Sequence, residues 1–478
     1  PKAAVFPQTC RKSKGSPAVS STPKNVLFLS IEDLNDWIEP LGGHPDTLTP
    51  NLTRLANRGL VCDNAYAEAP ACSPSRTATL FGKHPWTTGV YANNHKSHFA
   101  FDHGKKQSLV GRFKDAGFET YGAGKVFHVA PNHFDAADWT DYNRRDIEQF
   151  DAISRTREVG KAGGNTDFGA IEDDDLQYDD FNTKWIIDQI KAGDTGKFWA
   201  LGIYRPHLPF IAPKRCFDRL PDVVADPPGL GLNRFDPDNE TLHHPLPKAG
   251  QGMANNSRVL RNQLNRHGEY KDFLRAYLAC INYADELLGT VLDHMDACDL
   301  WDDTLVVLWS DHGWQLGEKL AFRKFTLWER SLRVPLMFAG ADIAPSRSAE
   351  PVTLTDIAPT LFSKMGLDCP DDFNGQDLTP LFDDPATQLR GHANAVWGKG
   401  FRSDGPQLAM SSRSRTHRYI LYWDGTEELY DHRTDPFEHS NLLSEQSDDL
   451  SEDLEALRET MQLLLPEDFA DPVQARPI

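Results

Sequence analysis

The sequence predicts an α/β protein. A large domain with a mostly parallel sheet flanked by helices precedes a smaller C-terminal domain with an antiparallel sheet and a helix. Three observations carry this reading. Up to about residue 370, apolar runs such as Asn25-Val-Leu-Phe-Leu-Ser-Ile31 alternate with segments whose apolar residues recur every three and four places. That is the pattern of strands buried on both faces and joined through helices. Beyond 370, short apolar runs separated by turn residues read as antiparallel strands. The polar residues richest in chemistry stand directly after the apolar runs, where a parallel sheet gathers them on one rim.

In chain order, residues 1–24 form an N-terminal extension and 25–370 the large domain, with 371–478 the smaller one. Asn25–Ile31 is the first buried strand and ends in Glu32-Asp33. Thr49-Pro50-Asn51 opens a helix with Leu52, Leu55 and Ala56 on one face. The next helix begins within Ala71-Cys72-Ser73-Pro74-Ser75-Arg76, because proline suits a first turn, where its missing N–H costs little. Leu109–Ala116 is helical, and Phe118–Lys125 is a strand running into a glycine turn, with His128 just beyond. Residues 131–180 are polar and acidic and read as a long excursion. Their acids lack the alternation and central glycine of an EF-hand.

Asp180 caps a helix carrying Trp185, Ile186, Ile187 and Ile190. Phe198–Tyr204 is a strand followed at once by Arg205-Pro206-His207, and 213–260 reads as surface loop from its proline and asparagine. From Tyr270 a long helix carries Leu274, Tyr277, Leu278, Ile281 and Leu288. Leu305–Trp309 is a strand ending in Ser310-Asp311-His312-Gly313. Lys324 follows in a loop before a strand at Val334–Phe338, and Thr355–Leu361 opens another helix. The runs around Val396-Trp397, Leu408-Ala-Met-Ser, Tyr419-Ile-Leu-Tyr-Trp and Glu428-Leu-Tyr430 make the antiparallel set. A last helix at 451–465 packs Leu454, Leu457 and Met461.

Bulk properties exclude several functions. A net charge of −20 argues against a general nucleic-acid or anionic-membrane surface, so an anionic substrate needs a local basic pocket. No apolar run approaches the roughly 18–20 residues of a membrane span. Pro1–Lys24 lacks the apolar core of an uncleaved signal peptide. Cysteines at 10, 62, 72, 216, 280, 298 and 369 show no zinc spacing; with Cys72 set aside, six remain, which permits disulfides without requiring them.

The rim residues have a chemical logic. Glu32, Asp33 and Asp311 are acids from two strand ends and make a cation site, while Lys125, His128, His207, His312 and Lys324 bring positive charge beside it. Cys72 and Arg76, four apart on one helix, share a face. A helix N-terminus attracts an anion, and Arg76 adds a fixed charge to it. The combination suits metal-assisted attack on a sulfate or phosphate ester.

Cys72-Ser-Pro-Ser-Arg76 resembles the sulfatase signature Cys-x-Pro-Ser-Arg, whose cysteine is oxidised after translation to formylglycine. The resemblance extends over roughly 24–445 and is nearest to iduronate-2-sulfatase and its bacterial relatives. It rests on Asn25-Val-Leu-Phe-Leu-Ser-Ile-Glu-Asp-Leu34, Gly124-Lys-Val-Phe-His128, Arg205-Pro-His-Leu-Pro-Phe210 and Ser310-Asp-His-Gly-Trp-Gln-Leu-Gly-Glu318. Leu327-Trp-Glu-Arg-Ser-Leu-Arg-Val-Pro335 and the C-terminal Glu428-Leu-Tyr-Asp431 with Asp435-Pro-Phe-Glu438 complete it.

The resemblance implies an alkaline-phosphatase-like fold and a sulfatase acting on a sulfated saccharide of glycosaminoglycan or algal type. It assigns Glu32, Asp33, Cys72, Asp311 and His312 to the metal, calcium before magnesium or manganese. Cys72, Arg76, Lys125, His128, His207 and Lys324 are assigned to catalysis, with His207 as acid for the leaving alcohol, Lys324 as its rival, and His128 as base. It also implies a formylglycine-generating or equivalent maturation enzyme as partner, and a secreted or periplasmic location. The family usually carries Asp-Asp where this chain has Glu32-Asp33; calcium's flexible oxygen coordination tolerates the longer acid.

Two rivals are a phosphate or phosphonate ester hydrolase of the same superfamily and a non-catalytic lectin-like protein. Sugar contacts are sought in the loops at 88–105, 131–180 and 213–265, with Tyr91, Asn93, Asn94, Trp314, Arg413 and Arg415 as candidates.

Overall fold

A computed structural model describes residues 22–93, 108–128, 136–143, 167–230, 246–402, 405–444 and 451–468. Its centre is an eight-stranded sheet of β1 (Asn25–Ile31), β2 (Gly59–Cys62), β3 (Glu119–Gly124), β4 (Asp141–Asn143), β5 (Lys197–Ile203), β6 (Thr304–Ser310), β7 (Leu336–Ala339) and β8 (Ser346–Ser348). The order is β8-β2-β7-β6-β1-β5-β3-β4. β1 lies between β5 and β6, parallel to both, and every one of its residues is buried. This explains its unbroken apolar run, since neither face meets water.

Helices cover both faces. The 29-residue helix Tyr270–Cys298 and the helices Pro50–Ala56 and Tyr178–Gln189 pack on one side, through Leu274, Tyr277, Leu278, Ile186 and Leu52. The helices Cys72–Phe81, Leu109–Asp115 and Ile357–Lys364 pack on the other, through Leu80, Phe113 and Leu361. The C-terminal strands His392–Arg402, Gly405–Ser414, His417–Leu421 and Glu427–Asp431 form an antiparallel sheet in sequential order. The last helix, Glu452–Gln462, lays Leu454, Leu457 and Met461 against Tyr419 and Leu429. Arg418, buried in this sheet, forms ion pairs with Glu329 and Glu438 and so ties it to the segment that follows Lys324.

Several expectations need correction. The strand near 334–338 spans Leu336–Ala339 and runs antiparallel to β6 and β2. Residues 311–335 stay on the rim instead of crossing the sheet, so the chain re-enters from the end it left. Part of 213–260 is helical: Lys214–Asp218, Lys248–Ala254 and Arg258–His267. The prolines that read as loop, Pro213 and Pro247, stand at the caps of two of these helices, where they are tolerated. Asp180 is not the cap of its helix; Gln177 is, and Asp180 accepts the Gln177 N–H at 2.7 Å to close a capping box.

Of the excursion at 131–180, the described parts include β4 and the strand Phe168–Ile171. Among the described residues, Cys62, Cys72, Cys216, Cys280, Cys298 and Cys369 form no disulfide with one another, and Cys10 lies outside those residues. No described helix is long and apolar enough to cross a membrane.

Candidate active site

The C-terminal ends of β1, β3, β5 and β6 open on one rim, and the N-terminus of the helix Cys72–Phe81 points its first residue there. Cys72 is 1% exposed. Asn93 accepts the Ser73 N–H through Oδ1 at 3.0 Å and so supplies a partner that the helix start lacks. One turn on, Arg76 holds the rim together through Nε and Nη1, while its Nη2 is buried without a hydrogen-bond partner. Its Nε donates to Asp311 Oδ2 at 2.9 Å, and its Nη1 donates to the carbonyls of Lys125 and Val126 at 2.6 and 2.9 Å. Its guanidinium also lies 5.5 Å from the Trp309 ring centroid. Ser75 Oγ donates to the Asp311 carbonyl.

β1 delivers the acids. Asp33 has φ 55°, a left-handed conformation that aspartate tolerates better than most residues, and its N–H donates to Asp311 Oδ1 at 3.1 Å. Tyr277, from the long helix, donates its hydroxyl to the Asp33 carbonyl at 2.7 Å. His312 Nε2 is 3.3 Å from Asp33 Oδ1 and 3.4 Å from Cys72 Sγ, and its Nδ1 lies 3.0 Å from the Gly313 carbonyl. Glu32 pairs with Lys125. His207 Nε2 approaches Glu32 Oε1 at 3.7 Å and Asp33 Oδ2 at 3.9 Å, while its Nδ1 donates to the Leu208 carbonyl at 2.6 Å.

Two sets of donor atoms converge within 4.8 Å: Glu32, Asp33, Cys72 and His207, and Asp33, Cys72, Asp311 and His312. Glu32 Oε2 and Asp33 Oδ2 are buried and have no hydrogen-bond partner. Orphaned carboxylate oxygens beside further acids are what a hard divalent cation needs, so these residues fit one.

Lys324 comes from an unusual hairpin. Gln315–Leu316 pairs with Phe322–Arg323, and Lys319, Leu320, Arg323 and Phe325 all have positive φ. Such backbone persists only where the surroundings enforce it. Here the Phe325 N–H donates to the Pro70 carbonyl at 3.1 Å and its ring stacks on Trp397 at 5.0 Å. Thr326 donates to Gln315 Oε1 at 2.7 Å. The result puts Lys324 Nζ 2.9 Å from Cys72 Sγ and 2.9 Å from Asp33 Oδ1.

The electrostatics follow from this packing. Burial would raise the Cys72 thiol, but Lys324, Lys125 and His312 outweigh it and hold the thiol well below its ordinary value. Burial raises Glu32 well above the carboxylate range, and Lys125 only partly opposes it. Burial also acts to raise Asp311, yet Arg76 and His312 keep it low. His312 is raised because Asp311 overcomes its burial, whereas His128 and His207 are lowered by theirs. The rim favours negative charge at residue 72, a protonated His312 against it, and neutral imidazoles at His128 and His207.

Every residue that sequence patterns single out for chemistry, from Glu32 to Lys324, is on this rim. Of the sugar-contact candidates, those described are tied to other parts of the protein. Tyr91 is wholly buried, Asn93 holds the helix start, and Trp314, 1% exposed, lies under the Lys324 ammonium at 5.5 Å. Arg413 pairs with Glu329 and Arg415 with Glu350; Asn94 lies outside the described residues. Sequence reasoning missed Ser75, Tyr204 and Arg323. The Tyr204 ring lies 5.3 Å from Lys125 Nζ and 4.7 Å from the His207 ring. Its place directly after β5 was the available signal.

Fold and rim together define a hydrolase of anionic esters, with a charged nucleophile site beside a cluster of acids. The family model for sulfatases matches residues 24–367, and that for the N-sulphoglucosamine sulphohydrolase C-terminal region matches 317–463. The chain is 32% identical to a sulfatase of Formosa agariphila, over 91% of this chain and 86% of that one. It is 29% identical to iduronate 2-sulfatase of Mus musculus, over 68% and 60%.

Among solved structures, a protein in complex with its substrate D-glucosamine-2-N,6-O-disulfate superposes with TM-score 0.70 at 20% identity, covering 92% and 97% of the two chains. A phosphonate monoester hydrolase of Agrobacterium radiobacter gives 0.72 at 18%, covering 92% and 95%. The chain belongs to the sulfatase family and is a sulfuric ester hydrolase.

Proposed function

We propose that this sulfatase removes O-sulfate from a sulfated saccharide, with formylglycine formed from Cys72 as its nucleophile and a divalent cation, calcium foremost, held by Glu32, Asp33, Asp311 and His312. The observation that carries the reading is the placing of residue 72 between the Lys324 ammonium and the acid cluster. A formylglycine supplies a hydroxyl nucleophile when hydrated, and the cation supplies Lewis-acid charge. In this reading Cys72 Sγ marks where that hydroxyl oxygen stands.

The surrounding residues then divide the work. Lys125 and Lys324 neutralise the sulfate oxygens as charge spreads over them. The positive charge around residue 72 lets its hydroxyl lose a proton to solvent. An S–O bond then forms from that oxygen as the S–O bond to the sugar breaks. His207, protonated at Nε2 as well as Nδ1 once the anionic substrate is bound, gives the Nε2 proton to the departing sugar oxygen. His128 accepts the proton whose loss frees the sulfate, and a water consumed afterwards restores the resting state. Arg76 positions Asp311 and the Lys125 backbone. The saccharide class is supported by relatives that include an ulvan-active sulfatase and the iduronate enzyme. A maturation enzyme that oxidises Cys72, and a secreted or periplasmic location, follow from the family resemblance.

Free sulfate released from a panel of sulfated oligosaccharides tests the reading. Release by the parent protein and none by Cys72→Ala is the expected result. Faster hydrolysis of phosphonate or phosphate monoesters than of every sulfate ester would overturn it.

A further inference from the structure

Among the described residues, the buried cations on this rim are held by carboxylates or by other acceptors, Arg205 by the Ile211 carbonyl and Lys319 by the Tyr430 hydroxyl. Arg76 is paired with Asp311, Lys125 with Glu32, Lys324 with Asp33 and Arg330 with Asp36. Arg323 is half-buried, its Nε is enclosed, and among the described residues its guanidinium has no hydrogen bond and no ion pair. Among the described residues, Asp33 is the one carboxylate whose charge reaches it, and Asp33 is already engaged by Lys324. A desolvated guanidinium without a counter-ion is costly, and the strained backbone at Arg323, φ 69°, fixes it there nonetheless.

Lys324, the next residue, meets Cys72 and Asp33 directly, whereas Arg323 lies one place back in the hairpin, paired through its backbone with Gln315, and makes no hydrogen bond to Cys72. Arg323 therefore serves a place beside the scissile group rather than the scissile group itself. A planar guanidinium with free N–H donors matches a carboxylate or a sulfate through paired hydrogen bonds.

We infer that Arg323 binds a second anionic group of the substrate, so that this enzyme selects saccharides carrying a sulfate or carboxylate next to the sulfate it removes. The inference rests on the saccharide reading above. Binding to the full-length Cys72→Ala chain tests it without turnover, so its failure is distinguishable from failure of the sulfatase mechanism. The probes are matched sugars differing by one anionic group, such as D-glucosamine 2-N,6-O-disulfate against D-glucosamine 6-O-sulfate, with binding followed by calorimetry.

In at least one pair the second anion should tighten binding on the order of 10- to 100-fold, as a charge-assisted contact does. Adding Arg323→Met should erase that gain while leaving affinity for the monoanionic partner. Arg323→Lys should keep part of it. The melting temperature of Arg323→Met should not fall, because no internal partner is lost. Equal weakening for both members of a pair would place Arg323 on the scissile sulfate and overturn the proposal. So would the absence of any gain from a second anion, or a drop in melting temperature.

Discussion

The Lys324 ammonium bridges Cys72 Sγ and Asp33 Oδ1 at 2.9 Å each, linking the nucleophile position to the acid cluster through one cation. Its placement depends on a hairpin with four non-glycine residues of positive φ between 319 and 325, so the chain accepts strain to put it there. The same charge that stabilises a thiolate at 72 stabilises an oxyanion at that point and the sulfate oxygens beside it. Lys324→Met should therefore lower kcat by about 10²–10³ with little change in melting temperature. A loss confined to KM would show that the lysine only binds substrate.

The two histidines should separate by leaving group. His207→Ala should cost on the order of 10²–10⁴ in kcat on a sugar sulfate and far less on an aryl sulfate with an acidic phenol, which leaves without a proton. His128→Ala should slow sulfate release whichever alcohol departs. Rapid mixing should show a burst of alcohol equal to the enzyme present, then slow turnover. Equal losses on both substrates for His207→Ala, with no burst for His128→Ala, would reverse the assignments.

Metal dependence follows from Glu32 Oε2 and Asp33 Oδ2, which lack partners. Chelation should lower activity, and calcium should restore it better than zinc because the ligand set is mostly carboxylate. Calcium should also raise the melting temperature of the stripped protein, since binding favours the folded state. Full rate in an exhaustively stripped sample rules out this use of Glu32, Asp33 and Asp311.

Much of this rim is legible without coordinates because each residue follows an apolar run. Asn25–Ile31 and Thr304–Ser310 are buried on both faces, so hydrophobicity alone marks them and their ends mark the acids. What escaped was set by tertiary context. The helix Arg258–His267 is polar but for Leu260 and Leu264, buried one turn apart, and Val259, which precedes them and is exposed. Trp314 reads as a sugar platform and is a buried support for Lys324. Arg323 looks like any loop arginine beside Lys324; its lack of a counter-ion is visible only when the neighbours are placed.

Acid sensitivity should trace in part to His44. Its Nδ1 accepts the Asp46 N–H at 3.1 Å and its ring lies 4.5 Å from Trp37. Burial lowers its pKa from 6.5 to about 4. Between those values the unfolded chain binds the proton and the folded one does not, so stability rises with pH through that window and is lost as pH falls. The contribution is on the order of 1–2 kcal/mol after solvent screening. His44→Phe, which keeps a ring against Trp37, should flatten the melting temperature between pH 4 and 6.5 relative to the parent. Parallel curves for the two proteins would exclude the role.

The chemical state of residue 72 tests the central claim most directly. The peptide carrying Cys72 should be weighed in preparations of graded specific activity. The account predicts a peptide lighter by about 18 Da than its thiol form, as thiol-to-aldehyde conversion requires. Sulfate release should rise in proportion to that fraction and vanish in Cys72→Ala. Full activity in a preparation whose residue 72 is entirely thiol would contradict it.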